Sequence, residues 1–113
     1  MVDALLLGTP SSPLFLFDTD NYGYSFESVA GLLGGIEEMD VEFGEYVGFD
    51  RAAHVLELVS QNGILDVQMR QEVDELDLRQ RLERHFDTYG PRLGLDFRRL
   101  PLSRLVRLCA PHM

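Results

Sequence analysis

The sequence predicts an α+β fold, an antiparallel sheet of about 3–5 strands with helices packed on one face. One observation is the pair Asn62-Gly63 between two strand-like runs, a strong hairpin signal because both residues accept a positive φ. The other is the four-residue spacing of Leu78, Leu82 and Phe86, which indicates an amphipathic helix. Consecutive strands followed by helices are typical of α+β domains.

The first part of the chain is predicted to contain one strand and one short helix. Residues 14–17 (Leu-Phe-Leu-Phe) form a short apolar run, which predicts a buried strand. Ser25 is the expected N-cap of the helix, because apolar residues recur at helical spacing after it. The pair Gly34-Gly35 is expected to end this helix.

The second part of the chain is predicted to contain three strands and two helices. Residues 46–49 and 54–59 indicate two strands, and residues 64–69 alternate between apolar and polar side chains, as in a half-buried strand. The clearest helix is expected over residues 75–86. A last helix is expected to begin at Pro101.

Negative charge is concentrated in the first half of the chain. The formal net charge is −9, and all ten basic residues are arginine. Residues 1–50 carry ten carboxylates and no basic side chain, whereas residues 51–113 carry nine carboxylates and ten arginines. This balance disfavours nucleic acids and anionic membranes as ligands of the whole chain. It favours a basic protein partner, although an acidic surface also serves solubility alone.

The length of 113 residues is that of a single domain, spanning residues 1–113, and residues 1–13 are expected to be a flexible N-terminal segment. A single cysteine, Cys109, excludes an internal disulfide framework. The N-terminal residues lack the pattern of a secretory signal, and no apolar run approaches the ~20 residues that span a membrane. We therefore expect a cytoplasmic protein.

An Asp-x-Asp sequence follows the first predicted strand. Residues 14–20 resemble the strand of haloacid-dehalogenase-like phosphatases, which implies a nucleophilic Asp18, an acidic Asp20 and Mg²⁺. Asn21-Tyr22 departs from that family's pattern, and the chain has no lysine for the phosphate. As a calcium loop, the segment fails at two ligand positions. The preferred interpretation is an Asx turn that ends the strand.

No metal site and no cofactor are predicted. The three histidines, His54, His85 and His112, stand at no recognised metal-ligand spacing, and structural or surface roles are expected for them. The sequence has no glycine-rich phosphate loop and no nucleophile elbow. The chain is therefore predicted not to be an enzyme.

The candidate site is the acidic segment, residues 37–46. Its five carboxylates are interleaved with large apolar and aromatic side chains, which suits a docking edge for a basic partner. The alternative is a solvated face whose apolar side chains point into the core. The predicted partner-binding residues are Glu37, Glu38, Asp40, Glu42, Phe43, Glu45 and Tyr46.

Residues 36–46, followed by Phe49-Asp50 and by residues 55–58, resemble small acidic bacterial immunity-type and uncharacterised proteins. The resemblance implies a protein that neutralises a cognate basic toxin by covering its active site. The predicted function is thus non-catalytic protein binding. The alternatives are a structural or regulatory homodimer built through the C-terminal helix, and a small metal-dependent hydrolase using Asp18 and Asp20.

Overall fold

The computed structural model describes residues 9–36 and 44–113. The elements, in chain order, are β1 (Leu14–Phe17), β2 (Gly23–Phe26), α1 (Val29–Gly35), β3 (Val47–Phe49), β4 (His54–Gln61), β5 (Ile64–Val73), α2 (Glu75–Tyr89), α3 (Leu102–Cys109) and a 3₁₀ turn (Ala110–His112). The strand order in the sheet is β2-β1-β3-β4-β5, and each neighbouring pair is antiparallel. The predicted α+β class and antiparallel sheet are confirmed.

Strand β1 supports a hydrophobic core on each face of the sheet. Phe15 and Phe17 face helices α2 and α3, which contribute Leu78, Leu82, Phe86, Leu105 and Val106. Leu14 and Leu16 point the other way, against α1 and β4, which contribute Leu32 and Leu56. The two longer helices therefore share one face, as predicted, and the short α1 covers the other.

The prediction that Ser25 caps the first helix is wrong. Residues Gly23–Phe26 form strand β2, which pairs with β1 so that Phe17 lies opposite Gly23. The helix begins later, at Val29, and its N-cap is Ser28, whose hydroxyl accepts the Gly31 N–H at 3.0 Å. Pairing with the central strand outweighs the local helical spacing, and a second serine three residues on supplies the same cap.

The hairpin and the later helices follow the predicted pattern. Asn62 and Gly63 both have a positive φ, 55° and 78°, and connect β4 to β5 as expected. Helix α2 starts after Asp74, whose side chain accepts the Asp77 N–H, and ends at Gly90. Helix α3 starts directly after Pro101. In the ranges that the structure covers, no helix combines the length and the apolarity needed to cross a membrane.

Gly48 in β3 is closely packed between its neighbouring strands. A Cβ placed there would meet Leu16 Cδ2 at 2.9 Å and Leu56 Cβ at 3.1 Å. At Gly34 in α1, by contrast, a Cβ would meet nothing within 4 Å.

We expect G48A to lower the free energy of unfolding by about 1–3 kcal/mol, because the core must open to admit a methyl group. The control, G34A, should leave stability unchanged or raise it by up to about 1 kcal/mol, since alanine is the better helix former. Urea denaturation of both variants measures the difference. Equal effects of the two substitutions would contradict this account of the sheet.

Candidate functional site

The predicted partner-binding residues are only partly described. Glu37, Glu38, Asp40, Glu42 and Phe43 lie outside the described residues. Glu45 and Tyr46 are both half-buried and immediately precede β3. Tyr46 packs against the α1-side core.

The register of the sheet brings Tyr46 close to the turn that follows β1. Phe17 lies opposite Gly23 in β2 and opposite Val47 in β3, and both pairs are antiparallel. The chain therefore leaves β1 at Asp18, and enters β2 and β3, at one and the same end of the sheet. We call this the acidic end, defined by Asp18, Asp20 and Glu45.

The turn at the acidic end is built around Asp18. Its Oδ1 accepts the backbone N–H groups of Asp20, at 2.9 Å, and Tyr22, at 3.0 Å. Asn21 adopts a left-handed conformation with φ of 59°, and its N–H donates to the Asp18 carbonyl. The predicted Asx turn is thus confirmed. Among the residues described, no three His, Cys, Asp or Glu side chains converge to hold a metal ion.

Three tyrosines gather beside this turn, and we call Tyr22, Tyr24 and Tyr89 the tyrosine patch. Their exposed fractions are 38%, 39% and 44%, respectively. The ring centroids of Tyr22 and Tyr24 lie 5.1 Å apart, and those of Tyr22 and Tyr89 lie 4.8 Å apart. Such tilted and edge-on contacts are favourable aromatic geometries, so the patch is a packed cluster and not three independent side chains.

A buried histidine supports the patch from beneath. His85 in α2 is 2% exposed, and its ring centroid lies 5.0 Å from that of Tyr22. Its Nδ1 accepts the Gly23 N–H at 2.9 Å, which requires a neutral imidazole with its proton on Nε2. The bond links α2 to the start of β2.

Further hydrogen bonds join the turn to α2. The Tyr89 hydroxyl donates to the Asp20 carbonyl at 3.0 Å. Asn21 Nδ2 donates to the Arg81 carbonyl at 3.0 Å, and Arg81 Nη1 donates to Asn21 Oδ1 at 3.2 Å. The turn that carries Tyr22 is therefore held at several points, and the patch is preorganised.

The Asp18 carboxylate influences the titration of the aromatic groups around it. Burial, and then the negative charge of Asp18, raise the pKa of the Tyr24 hydroxyl above its ordinary value. Burial lowers the pKa of His85, and Asp18 opposes that shift. The patch thus presents neutral, hydrogen-bonding rings in a negative electrostatic field.

Sequence reasoning missed the tyrosine patch, because its members are far apart in the chain. Tyr89 and Asp20 are separated by 69 residues, and only the packing of α2 against the sheet joins them. A local signal was available for two of the members. Tyr22 and Tyr24 are two residues apart, a spacing that places side chains on one face of a strand, and two aspartates precede them.

The Asp50–His54 pair resembles half of a catalytic triad but organises a turn. Asp50 is 1% exposed and accepts N–H groups from Ser11, Ala52 and His54, as well as His54 Nδ1 at 3.1 Å. Ala53 in the same turn has φ of 67° and is fully buried. No hydroxyl or thiol in the described ranges hydrogen bonds to His54. The pair therefore ties the β3–β4 connection to the segment before β1.

The one cysteine is not an activated nucleophile. Cys109 is fully buried, and this burial raises the pKa of its thiol to about 12. At neutral pH it is a protonated thiol packed among apolar side chains.

In comparisons with protein-family models, curated proteins and solved structures, nothing matched this chain.

Stability should fall when the pH drops below about 6.5, the ordinary pKa of histidine, because His85 has a lowered pKa in the folded state. The unfolded chain then binds a proton that the folded chain does not. The loss of stability begins near the pKa of His85 in the unfolded chain and ends below its pKa in the folded chain. Over this range the free energy of unfolding falls by at most about 1.4 kcal/mol per pH unit. Urea denaturation between pH 8 and pH 5 measures it.

Two variants separate His85 from the other titrating groups. H85F cannot titrate, so the wild-type and H85F stability curves should converge as the pH falls. The control, H112Q, removes an exposed histidine and should keep the wild-type slope. If H85F showed the same pH dependence as the wild type, the Gly23–His85 bond would not be the sensitive element.

The variant D50N should lower the free energy of unfolding by about 3 kcal/mol. Asparagine offers one acceptor oxygen and turns an N–H₂ group toward donors, which leaves buried N–H groups without acceptors. The matched control is D66N, because Asp66 is exposed and its side chain accepts the adjacent Val67 N–H and no other donor in the described ranges. Guanidinium denaturation compares them, and a D50N protein as stable as D66N would remove the structural role assigned to Asp50.

Proposed function

We propose that this chain is a non-catalytic protein-binding domain that engages a basic partner through the tyrosine patch and the carboxylates of the acidic end. The observation that carries the proposal is the patch itself, three partly exposed tyrosines beside Asp18 and Asp20. The Tyr22 ring contacts the rings of both Tyr24 and Tyr89. Tyrosine is enriched among the residues that dominate binding energy, because a rigid ring adds contact area at low entropic cost.

Preorganisation supports the same proposal. The hydrogen bonds from Gly23 to His85 and from Tyr89 to Asp20 hold the patch before any partner arrives. An interface that is already ordered loses less entropy on association.

Charge indicates what kind of partner would bind. The chain has a net charge of −9, and its first 50 residues carry no basic side chain, so a basic surface would be steered toward it. The tyrosine rings lie 4.8–5.1 Å apart and leave no gap for a cation between them. An arginine of the partner would therefore stack on an outer ring face, with the Asp20 carboxylate within reach.

The proposed interface also includes the acidic segment, residues 37–46. Residues 44–46 enter the sheet at the same end as the turn at Asp18, and Glu37, Glu38, Asp40 and Glu42 precede them in sequence. A basic toxin, the partner implied by the resemblance to immunity-type proteins, is the sharpest form of the proposal.

The alternative functions lack a specific observation in their favour. In the hydrolase interpretation, Asp18 Oδ1 already accepts two backbone N–H groups within its turn. In the homodimer interpretation, the apolar stripe of α3 is buried within the chain, since Leu105, Val106 and Cys109 are fully covered. A dimer formed through α3 would have to use its exposed side, where Leu108 is an apolar residue beside Arg104 and Arg107.

Binding to the partner should depend on Tyr24 and Asp20. With a partner captured from the producing cells and then purified, we expect Y24A to cost about 1–2 kcal/mol of binding free energy through loss of an aromatic anchor. D20K should slow association by about tenfold at low salt. Calorimetry and stopped-flow mixing measure these two effects.

The matched control variants carry equivalent substitutions at residues elsewhere on the surface. I64A removes an exposed apolar side chain at the tip of the β4–β5 hairpin, and E72K makes the same charge change near the far end of β5. Both should bind as the wild type does.

A triple reversal of Glu37, Glu38 and Asp40 to lysine tests the acidic segment. If that variant abolished binding while Y24A and D20K bound normally, the interface would lie on the segment and the patch would be excluded.

A further inference from the structure

A cavity of about 410 Å³ lies at the end of the sheet opposite the acidic end. Pro13 directly precedes β1, and Arg51 closely follows β3, so the antiparallel pairing of these strands places both at this end. Helix α3 closes the cavity from one side. The lining residues are Pro13, Arg51, Ser103, Val106 and Arg107. We call it the arginine cavity.

Within the described part of the chain, no carboxylate pairs with the two cations of the arginine cavity. Neither Arg51 nor Arg107 forms an ion pair with any residue in 9–36 or 44–113. Four other arginines form ion pairs within these ranges, namely Arg70–Glu57, Arg79–Glu75, Arg81–Asp77 and Arg98–Glu83, whereas Arg84, Arg92, Arg99 and Arg104 form none there. The described lining contains no carboxylate, so it carries a formal charge of +2 in a protein whose net charge is −9.

Among the described residues, the buried carboxylate near this end is Asp50, next to Arg51 in sequence. Both of its oxygens are engaged by N–H groups of the β3–β4 turn, of Ser11 and of the His54 ring. It is 1% exposed and is not among the residues that line the cavity. Asp50 therefore orders the turn that carries Arg51 and does not pair with the guanidinium groups.

The backbone beneath both arginines is fixed. The Arg51 N–H donates to the Ser11 carbonyl at 2.9 Å, and the Ala53 N–H donates to the Asp50 carbonyl at 3.0 Å. Arg107 follows the fully buried Val106 in α3, which belongs to the main core. Arg51 and Arg107 thus line the same cavity from rigid elements that are distant in sequence, and both side chains are exposed to solvent.

We propose that the arginine cavity binds a small-molecule phosphate monoester. Two guanidinium groups match the charge of the dianion, and each offers the forked N–H donors that phosphate oxygens accept in pairs. A monocarboxylate would leave one cation uncompensated. The exposed Ser103 hydroxyl adds a donor, and the half-buried Pro13 offers an apolar contact for the organic part of the ligand. The volume lies within the range of small-molecule sites, roughly 300–1,000 Å³.

Phenyl phosphate is a suitable probe, because it joins a dianion to an apolar body, and inorganic phosphate is the probe without that body. In ¹H–¹⁵N NMR titrations at pH 7.5 and low ionic strength, we expect saturable shifts of the Arg51, Ser103 and Arg107 amides. Phenyl phosphate should bind more tightly than inorganic phosphate. R51A and R107A should each weaken binding by about tenfold or more, the loss expected for a charge-assisted hydrogen bond.

The matched control is R84A, which removes an exposed arginine of α2 and should leave the affinity unchanged. R107K keeps the charge but lacks the fork, so it should bind between the wild type and R107A. The proposal is overturned if neither probe gives saturable shifts at these amides, or if R84A weakens binding as much as R51A and R107A. Equal binding of benzenesulfonate, a monoanion with the same apolar ring, would exclude the dianion as the preferred ligand. The cavity lies away from the tyrosine patch, so these results do not bear on the proposed protein partner.

Discussion

The architecture depends on a four-residue strand that is buried on both faces. All side chains of Leu14–Phe17 are fully covered, and β1 pairs with β2 on one edge and with β3 on the other. Two apolar layers can pack on one strand because successive side chains point to opposite faces. Phenylalanines therefore meet α2 and α3, while leucines meet α1 and β4. Each of the four side chains of β1 lies in one of the two cores, so a polar substitution at any of these positions would place a polar group in a core.

The same strand places two chemically different surfaces at its ends. Beyond Phe17 the chain turns through Asp18, and the partners of β1 bring Tyr22 and Tyr46 to that end. Before Leu14 the chain passes Pro13, and β3 brings Arg51 to that end. A strand of this length spans roughly 13 Å at about 3.3 Å per residue, which exceeds the Debye length at physiological ionic strength. The charge at one end of the strand is therefore largely screened from the surface at the other end.

Local signals predicted the elements whose conformation is determined locally. Asn62-Gly63 forms the hairpin because the turn itself demands positive φ, and α2 forms where leucines repeat and Asp74 caps them. Ser25 misled the sequence reasoning because its neighbourhood has helical spacing, while β1 offers those residues a paired edge. Ser28 lies in the same segment and caps the real helix. Strand pairing is a non-local gain in stability, and a single sequence gives no measure of it.

The distribution of charge along the chain differs from its distribution on the folded surface. All charged side chains among the first 50 residues are acidic. The fold nevertheless brings Arg51, the next residue, to the same cavity as Arg107 near the end of the chain. Packing of α3 on the sheet creates this positive cavity inside a protein of net charge −9. Conversely, Arg81 lies near the acidic end, but it forms an ion pair with Asp77 and a hydrogen bond with Asn21. It therefore does not neutralise the negative field around the tyrosine patch. Net charge therefore predicts the long-range attraction of a basic partner, whereas the pairing of individual arginines decides which short-range ligands each surface can bind.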